Sequence, residues 1–443
     1  MLWWTPPAPA NKPAAEEFTI PLQTDAPRSS PRSADRVRKV KDELTGQPAL
    51  QAKTAQAAIN AAISQNTAGC QMIRFSAGFG WTATGNAAYS ASNNPVALRR
   101  SRQEARFKAF TEARNQLAGC LRALPPEARR KVAENLEQDD AIRLALINLA
   151  ANDAEKWEQA LRILARGFVA YSVEDHTDQS LIQVNLVATP KTATRLTRPN
   201  VNAIETTSIQ EGLRQALAEI QAGLIPPAGN RLIVVNTTGE LTLVGYAFNL
   251  IGAHPDPEAQ NKLRADAEKI ATAHATEALI GLATGDDTGW KSGLDEVSQN
   301  EMRAAANGYD DNEPSVRRFA QIRDLVMTAA KEDSGLQTLR DGNLPAAAAM
   351  KRFSSEDTVA VAVVYTPTVR KPAPPPPPPA TESPASNAPV PSIPATLTPS
   401  SALPSATPAA EPPTGSIPPV PPESPSAPAT PPATDPPAPQ ETR

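Results

Sequence analysis

The sequence predicts an α+β fold of two tandem related domains. Each is a small antiparallel sheet crossed by one long alanine-striped helix and broken by a helical insertion. Three observations predict this. Pro95 opens a helical stretch carrying Ala105, Ala109, Ala113 and Leu117, and Pro257 opens another carrying Ala267, Ala271, Ala275 and Leu279, with every position 162 residues from its counterpart. An apolar stretch precedes each helix, ending in Gly80-Trp81 and in Gly245-Tyr246. Each copy closes on a β-rich run, Gln183 to Pro190 and Val359 to Pro367, and both runs end in Thr-Pro. Strands at the ends of a copy with helices between them argue for α+β.

Residues 1–32 hold Pro6, Pro7, Pro9, Pro13, Pro21, Pro27 and Pro31, which exclude a stable helix, so this segment is expected to be disordered. Residues 33–66 read as a helical lead-in, broken near Gly46-Gln47-Pro48, with Ala55, Ile59, Ala62 and Ile63 on one face. Residues 67–200 form the first copy. It starts with β character from Cys70 to Thr84, where Gly78 and Gly80 signal a bulge or sharp bend. The long helix follows from Pro95 to Leu121, with Asn94 as N-cap and the proline at N1, where its missing N–H has no partner to lose. Helices at 126–137, 139–149 and 153–165 make the insertion, and 166–173 with 181–188 make a hairpin.

Residues 201–230 read as a bridging helix, 209–222, and a linker closed by Gly223 and Pro226-Pro227. Residues 231–370 form the second copy. A hairpin of 232–235 and 241–248 turns at Asn236-Thr237-Thr238-Gly239, and the helix from Pro257 to Leu282 comes next. Helices at 294–306 and 315–331 and strands at 347–352 and 357–365 complete it. Residues 371–443 hold 27 of the 47 prolines, including Pro374 to Pro379. Such a segment cannot bury enough apolar surface to offset the entropy of ordering, so disorder is expected there too.

A net charge of −4 with no basic patch gives no indication of nucleic acid as a partner. Arg99-Arg100-Ser101-Arg102 and Arg129-Arg130-Lys131 read as solvated helix faces. No apolar run approaches the roughly 18 residues of a membrane span. Met1-Leu2-Trp3-Trp4 is too short for a signal-peptide core; it reads as the remnant of a signal peptide starting upstream, with a cytosolic N-terminus as the alternative. Leu117-Ala118-Gly119-Cys120 imitates a lipoprotein cleavage box but lies behind a charged helix.

No chemical constellation emerges. Gly78 to Gly85 has the glycine density of a phosphate loop, but neither its spacing nor a following lysine and hydroxyl, so a bulged strand is the better reading. His176, His254 and His274 show no metal-ligand spacing, and Asp310-Asp311-Asn312-Glu313 lacks the alternating ligands of a calcium loop. No Gly-x-Ser-x-Gly elbow is present. The sequence therefore offers no catalytic, cofactor-binding or metal residue, and the expected function is non-enzymatic.

A glycine-aromatic strand, a capped helix with alanines four apart and a closing hairpin together resemble the α+β domains of bacterial outer-membrane lipoproteins and flagellar-associated periplasmic proteins. The likeness spans Met72–Leu121 and Arg231–Leu282. It implies a structural or interaction protein of the cell envelope, periplasmic, whose partner is a protein or a cell-wall component. The alternatives are a cytoplasmic location, and a small-molecule or peptide site between the two domains lined by Trp81, Trp157 and Trp290.

Cys70 and Cys120 are the only cysteines. If the long helix returns beside the start of its β unit, both lie at one end of the first domain. They then form a disulfide or two buried thiols, and the disulfide is favoured because the topology brings them together. Aligning the glycine-aromatic pairs matches Cys70 to Val235, and the helices match Cys120 to Leu282, so an apolar contact between Val235 and Leu282 is expected in the second copy.

Overall fold

A computed structural model describes residues 17–24, 36–65, 67–76, 78–310 and 313–368. The proline-rich tail expected to be disordered, most of the N-terminal segment, and Asp311-Asn312 lie outside the described residues. Residues 17–24 correct one expectation. Phe18 and Ile20 are buried beside Val169 and Tyr171, and Pro21–Thr24 forms a single helical turn, α1. Proline is acceptable at the first position of a helix, and two large apolar side chains give the segment a reason to dock.

Copy one opens with β1 (Arg38–Lys41) antiparallel to β2 (Pro48–Gln51). Next is α2 (Ala55–Ile63), whose N-cap Thr54 accepts from the Ala57 N–H, and α2 carries the chain across so that β3 (Gly69–Phe75) runs parallel to β2. β4 (Gly78–Ala88) pairs antiparallel with β3. The long helix α3 (Pro95–Arg122) leads to the insertion α4 (Pro126–Leu136), α5 (Asp140–Leu149) and α6 (Asp153–Arg166). The hairpin of β5 (Val169–His176) and β6 (Leu181–Ala188) then returns and places β6 beside β4. A short connector, α7 (Pro190–Arg195), is held by a capping box between Thr189 and Thr192.

Copy two repeats this plan: β7 (Leu196–Thr197), β8 (Ala203–Thr206), α8 (Ile209–Gln221), β9 (Ala228–Val235), β10 (Leu241–Leu250) and the long helix α9 (Pro257–Thr284). Its insertion is α10 (Thr288–Ser292), α11 (Glu296–Ala306), α12 (Pro314–Ala329) and α13 (Ser334–Arg340), and it closes on β11 (Ala349–Ser354) and β12 (Thr358–Tyr365). The sheet orders are β1-β2-β3-β4-β6-β5 and β7-β8-β9-β10-β12-β11, the same path twice. Both copies belong to one compact unit.

The fold is α+β, and each sheet is mixed rather than purely antiparallel, because β2–β3 and β8–β9 are parallel. The helical lead-in read at 33–66 is instead two four-residue strands and one nine-residue helix. Moreover, α8 takes in copy two the place that α2 takes in copy one, with Thr54 and Ser208 each capping its helix. A parallel pair needs a crossover, and a helix of this kind is the usual one. Each sheet is therefore covered on both faces. The long helix seals one apolar cluster, and the crossover helix seals the other.

The glycines mark close approach, not a bulge or a phosphate loop. β4 keeps a regular register with β3 from Gly78 to Thr84. A Cβ on Gly85 would meet the backbone of Ala109 and Ala113, and one on Gly245 would meet the backbone of Ala275 and Leu279. The alanine stripe and these glycines thus let each long helix lie almost backbone to backbone on its sheet. Ala109→Leu and Ala271→Leu, both at fully buried sites, should each destabilise by about 1–3 kcal/mol through overpacking. Lys108→Leu, on the solvent face, should not. Urea midpoints that tolerate leucine at both alanine sites would contradict the close packing.

The strand pairing also corrects the alignment of the copies. Ala83 stands between Cys70 and Leu186, and Gly245 stands between Asn230 and Val363. Leu186 and Val363 each precede the Thr-Pro that ends a closing run by the same distance. Ala83 therefore matches Gly245, and Trp81 matches Leu243. The Gly80-Trp81 and Gly245-Tyr246 pairs are three residues out of step, and an odd slip turns every side chain to the other face. Trp81 is sealed beneath α3, whereas Tyr246 packs on the α8 side.

Cys70 accordingly matches Asn230, not Val235, and Val235 is outside the apolar cluster against which Leu282 packs. Val235 lies at the far end of β9, beside Thr206. In copy one, Cys70 and Cys120 are joined as a disulfide, with Cα atoms 6.1 Å apart, a separation that a bridge can span. At the matching place in copy two, Asn230 donates to Asp287 at 2.9 Å and to the Ala278 carbonyl at 3.4 Å.

Candidate functional site

The two copies meet along a seam rich in arginine. At its centre Glu219 of α8 pairs with Arg198 and, at 3.7 Å, with Arg231 of β9; all three side chains are buried. Arg198 also donates to the Phe168 carbonyl of copy one at 2.6 Å, with its guanidinium over the Phe168 ring, 4.0 Å from the centroid. Burial alone would raise the Glu219 carboxyl, but the two guanidiniums and the Gln215 amide outweigh it and hold the group below the usual carboxylate range.

The long helix of copy one supplies a second line of contacts. Arg99 donates to Asp357 at 3.0 Å and to the Ile251 carbonyl at 2.6 Å, and Gln103 donates to the Gly223 carbonyl at 2.8 Å. Arg102 lies 3.5 Å from Asp175 of its own copy and 3.9 Å from Asp357 of the other. Arg99 and Arg102 are therefore seam residues rather than a solvated face, and the more exposed Arg100 also crosses, pairing with Asp295 of the other copy at 3.1 Å as well as with Glu104 of its own helix at 3.3 Å.

Across this seam α11 brings Glu301 towards α3. Burial first, and the nearby Glu104 second, push the Glu301 carboxyl up to about 7. A folded-state pKa above the unfolded value means that the associated stability is fully present below the unfolded pKa and is lost as pH rises through about 7. Glu301→Gln should remove this slope. Melting temperatures of parent and variant at about pH 5 and about pH 8 test it, and equal losses on going to the higher pH would refute it.

A cleft of about 390 Å³ lies between the two insertions. Its walls are α5 and α6 of copy one and α12 of copy two, and β8 with the β9–β10 turn forms its floor. Arg162 and Arg166 share Glu313, at 3.4 and 2.6 Å. Arg318 pairs with Glu205 at 2.5 Å, and Arg198 reaches the cleft from the central cluster. Four buried polar atoms here have no hydrogen-bond partner: Gln159 Oε1, Glu205 Oε1, Arg198 Nε and Arg318 Nε. Leu144 of α5 lines the cleft and is 61% exposed, and Ile147 of α5 and Leu325 of α12, outside the lining, are 66% and 71% exposed.

Trp81, Trp157 and Trp290 do not line this cleft. Trp81 and Trp290 are buried, one in each copy, and Trp157 packs on the rim of the first core. Apolar bulk sent each into its own domain. The cleft residues carry no motif, because they come from distant segments that only the packing of the insertions brings together. Among the described residues, no group of three His, Cys, Asp or Glu side chains could hold a metal ion, and no helix is long and apolar enough to cross a membrane. His254 accepts from the Asp256 N–H before α9, and His274 faces Glu277 at 3.6 Å on α9.

No protein-family model matches the chain, and no curated protein matches it. Among solved structures, the chain is similar to the 2.3 Å crystal structure of the hypothetical protein FTT1539c from Francisella tularensis, at 11% identity over 65% of this chain and 83% of that one. The TM-score is 0.21, and a likeness at that level carries no argument about fold or function.

Proposed function

We propose that the protein is a non-enzymatic structural or interaction protein of the bacterial cell envelope, with the cleft between the copies as its partner-binding site. The observation that carries this reading is the exposed aliphatic crest of Leu144, Ile147 and Leu325 on the two helices flanking the cleft. Isolated surface leucines are ordinary, but three large aliphatics beside a cavity with unmet polar groups have the composition of an interface. The Cys70–Cys120 bridge suits an oxidising compartment such as the periplasm.

A photo-crosslinking residue at Ile147 should capture a discrete partner in native cells, and one at Lys269, on the exposed face of α9, should not. Leu325→Asp should abolish the Ile147 adduct. Identical adducts from both positions would defeat the proposal. The second reading is a small-molecule site in the same cleft, favoured by the four unpartnered buried atoms. In that case Leu325→Asp, at an exposed position, would leave binding intact.

A further inference from the structure

We infer that the partner presents an acidic peptide segment with aliphatic side chains to this cleft; the inference rests on reading the cleft as the binding site. The first argument is charge. Among the described residues lining the cleft, Arg162, Arg166, Arg198 and Arg318 stand with a single carboxylate, Glu205, and Glu313 and Glu219 pair with them from outside the lining. Two of the arginine pairs share a single acid each, so the region carries surplus positive charge beside low-dielectric walls, where the field is screened least. Arg162 is the accessible member, with its side chain 46% exposed at the rim.

The second argument is hydrogen bonding. Unfilled donors (Arg198 Nε, Arg318 Nε) and unfilled acceptors (Gln159 Oε1, Glu205 Oε1) both occur among the lining residues. A fatty-acid anion could answer the donors but has no N–H for the acceptors. A peptide backbone carries both groups on every residue. The third argument is extent. Leu144 lines the cavity, while Ile147 on α5 and Leu325 on α12 lie outside its lining on two of its wall helices, so an occupant that covers all three is longer than a cavity-sized ligand. Charge complementarity chooses the acidic sign, and the crest chooses aliphatic side chains.

Fluorescence anisotropy of the full chain tests this with a short fluorescein-labelled peptide alternating Glu and Leu, its Lys and Leu counterpart, and oleate as competitor. The acidic peptide should bind and the basic one should not. Affinity should fall roughly tenfold from low to high salt. Arg162→Gln, which removes the rim charge while Arg166 still holds Glu313, should weaken binding about tenfold, and Arg162→Lys should largely retain it. Equal binding of both peptides, no binding of either, or displacement by oleate would overturn the acidic-peptide assignment. Self-association of the chain that Leu325→Asp abolishes would assign the cleft to a second copy and overturn it as well. Adducts at Ile147 that persist when the acidic peptide fails would show an interface whose partner has another chemistry. Loss of both results would remove the binding site itself.

Discussion

Glu219→Ala should cost about 3–5 kcal/mol of folding stability, because it leaves Arg198 and Arg231 buried and facing each other without their shared acid. The loss should exceed that of Glu240→Ala, an exposed turn position, several-fold in urea denaturation. Replacing all three charged residues together with apolar side chains of similar volume should recover most of the loss, since desolvating ions consumes much of what their attraction returns. The pH dependence has a fixed sign. With its pKa held below the unfolded value, Glu219 contributes stability that is present above the unfolded pKa and lost as pH falls through the folded one. A single variant within about 1 kcal/mol of the parent would mean that the triad does not hold the seam together.

Removing the bridge, by Cys70→Ser with Cys120→Ser, should cost about 2–4 kcal/mol, since it closes a loop spanning 50 residues of sequence. It ties the last turns of α3 to the first residues of β3, so the loss should concentrate at that end of copy one. Hydrogen exchange should quicken there and not at the Asn230–Asp287 contact that occupies the same place in copy two. Mass spectrometry of protein from its native compartment, alkylated without reduction, checks the bond directly. Two free thiols would remove the strongest residue-level argument for an oxidising compartment.

The long helices, the insertions and the closing hairpins were legible because their signals are local. Asn94-Pro95 and Asp256-Pro257 announce helix starts, alanines four apart define a face, and a continuous apolar run rich in β-branched valine defines β12. The opening strands of each copy, β1 with β2 and β7 with β8, were not legible. β1 and β2 are four residues each, and β8 gains its identity only by lying parallel to β9 across the α8 crossover, a partner no local window contains.

The duplication itself was determined by sequence, but its register through the strands was not. A glycine beside an aromatic is a composition match, and only the ladder through Ala83 and Gly245 decides which face each residue takes. The cleft lay furthest from view. Leu144, Arg162, Glu205 and Arg318 sit on four elements from both copies, and nothing in their local sequence separates them from ordinary helix and strand surfaces. Periodicity and capping are properties of one segment, so sequence alone determined the elements. Register, charge pairing and cavities are properties of segments meeting, so only the tertiary structure decided them.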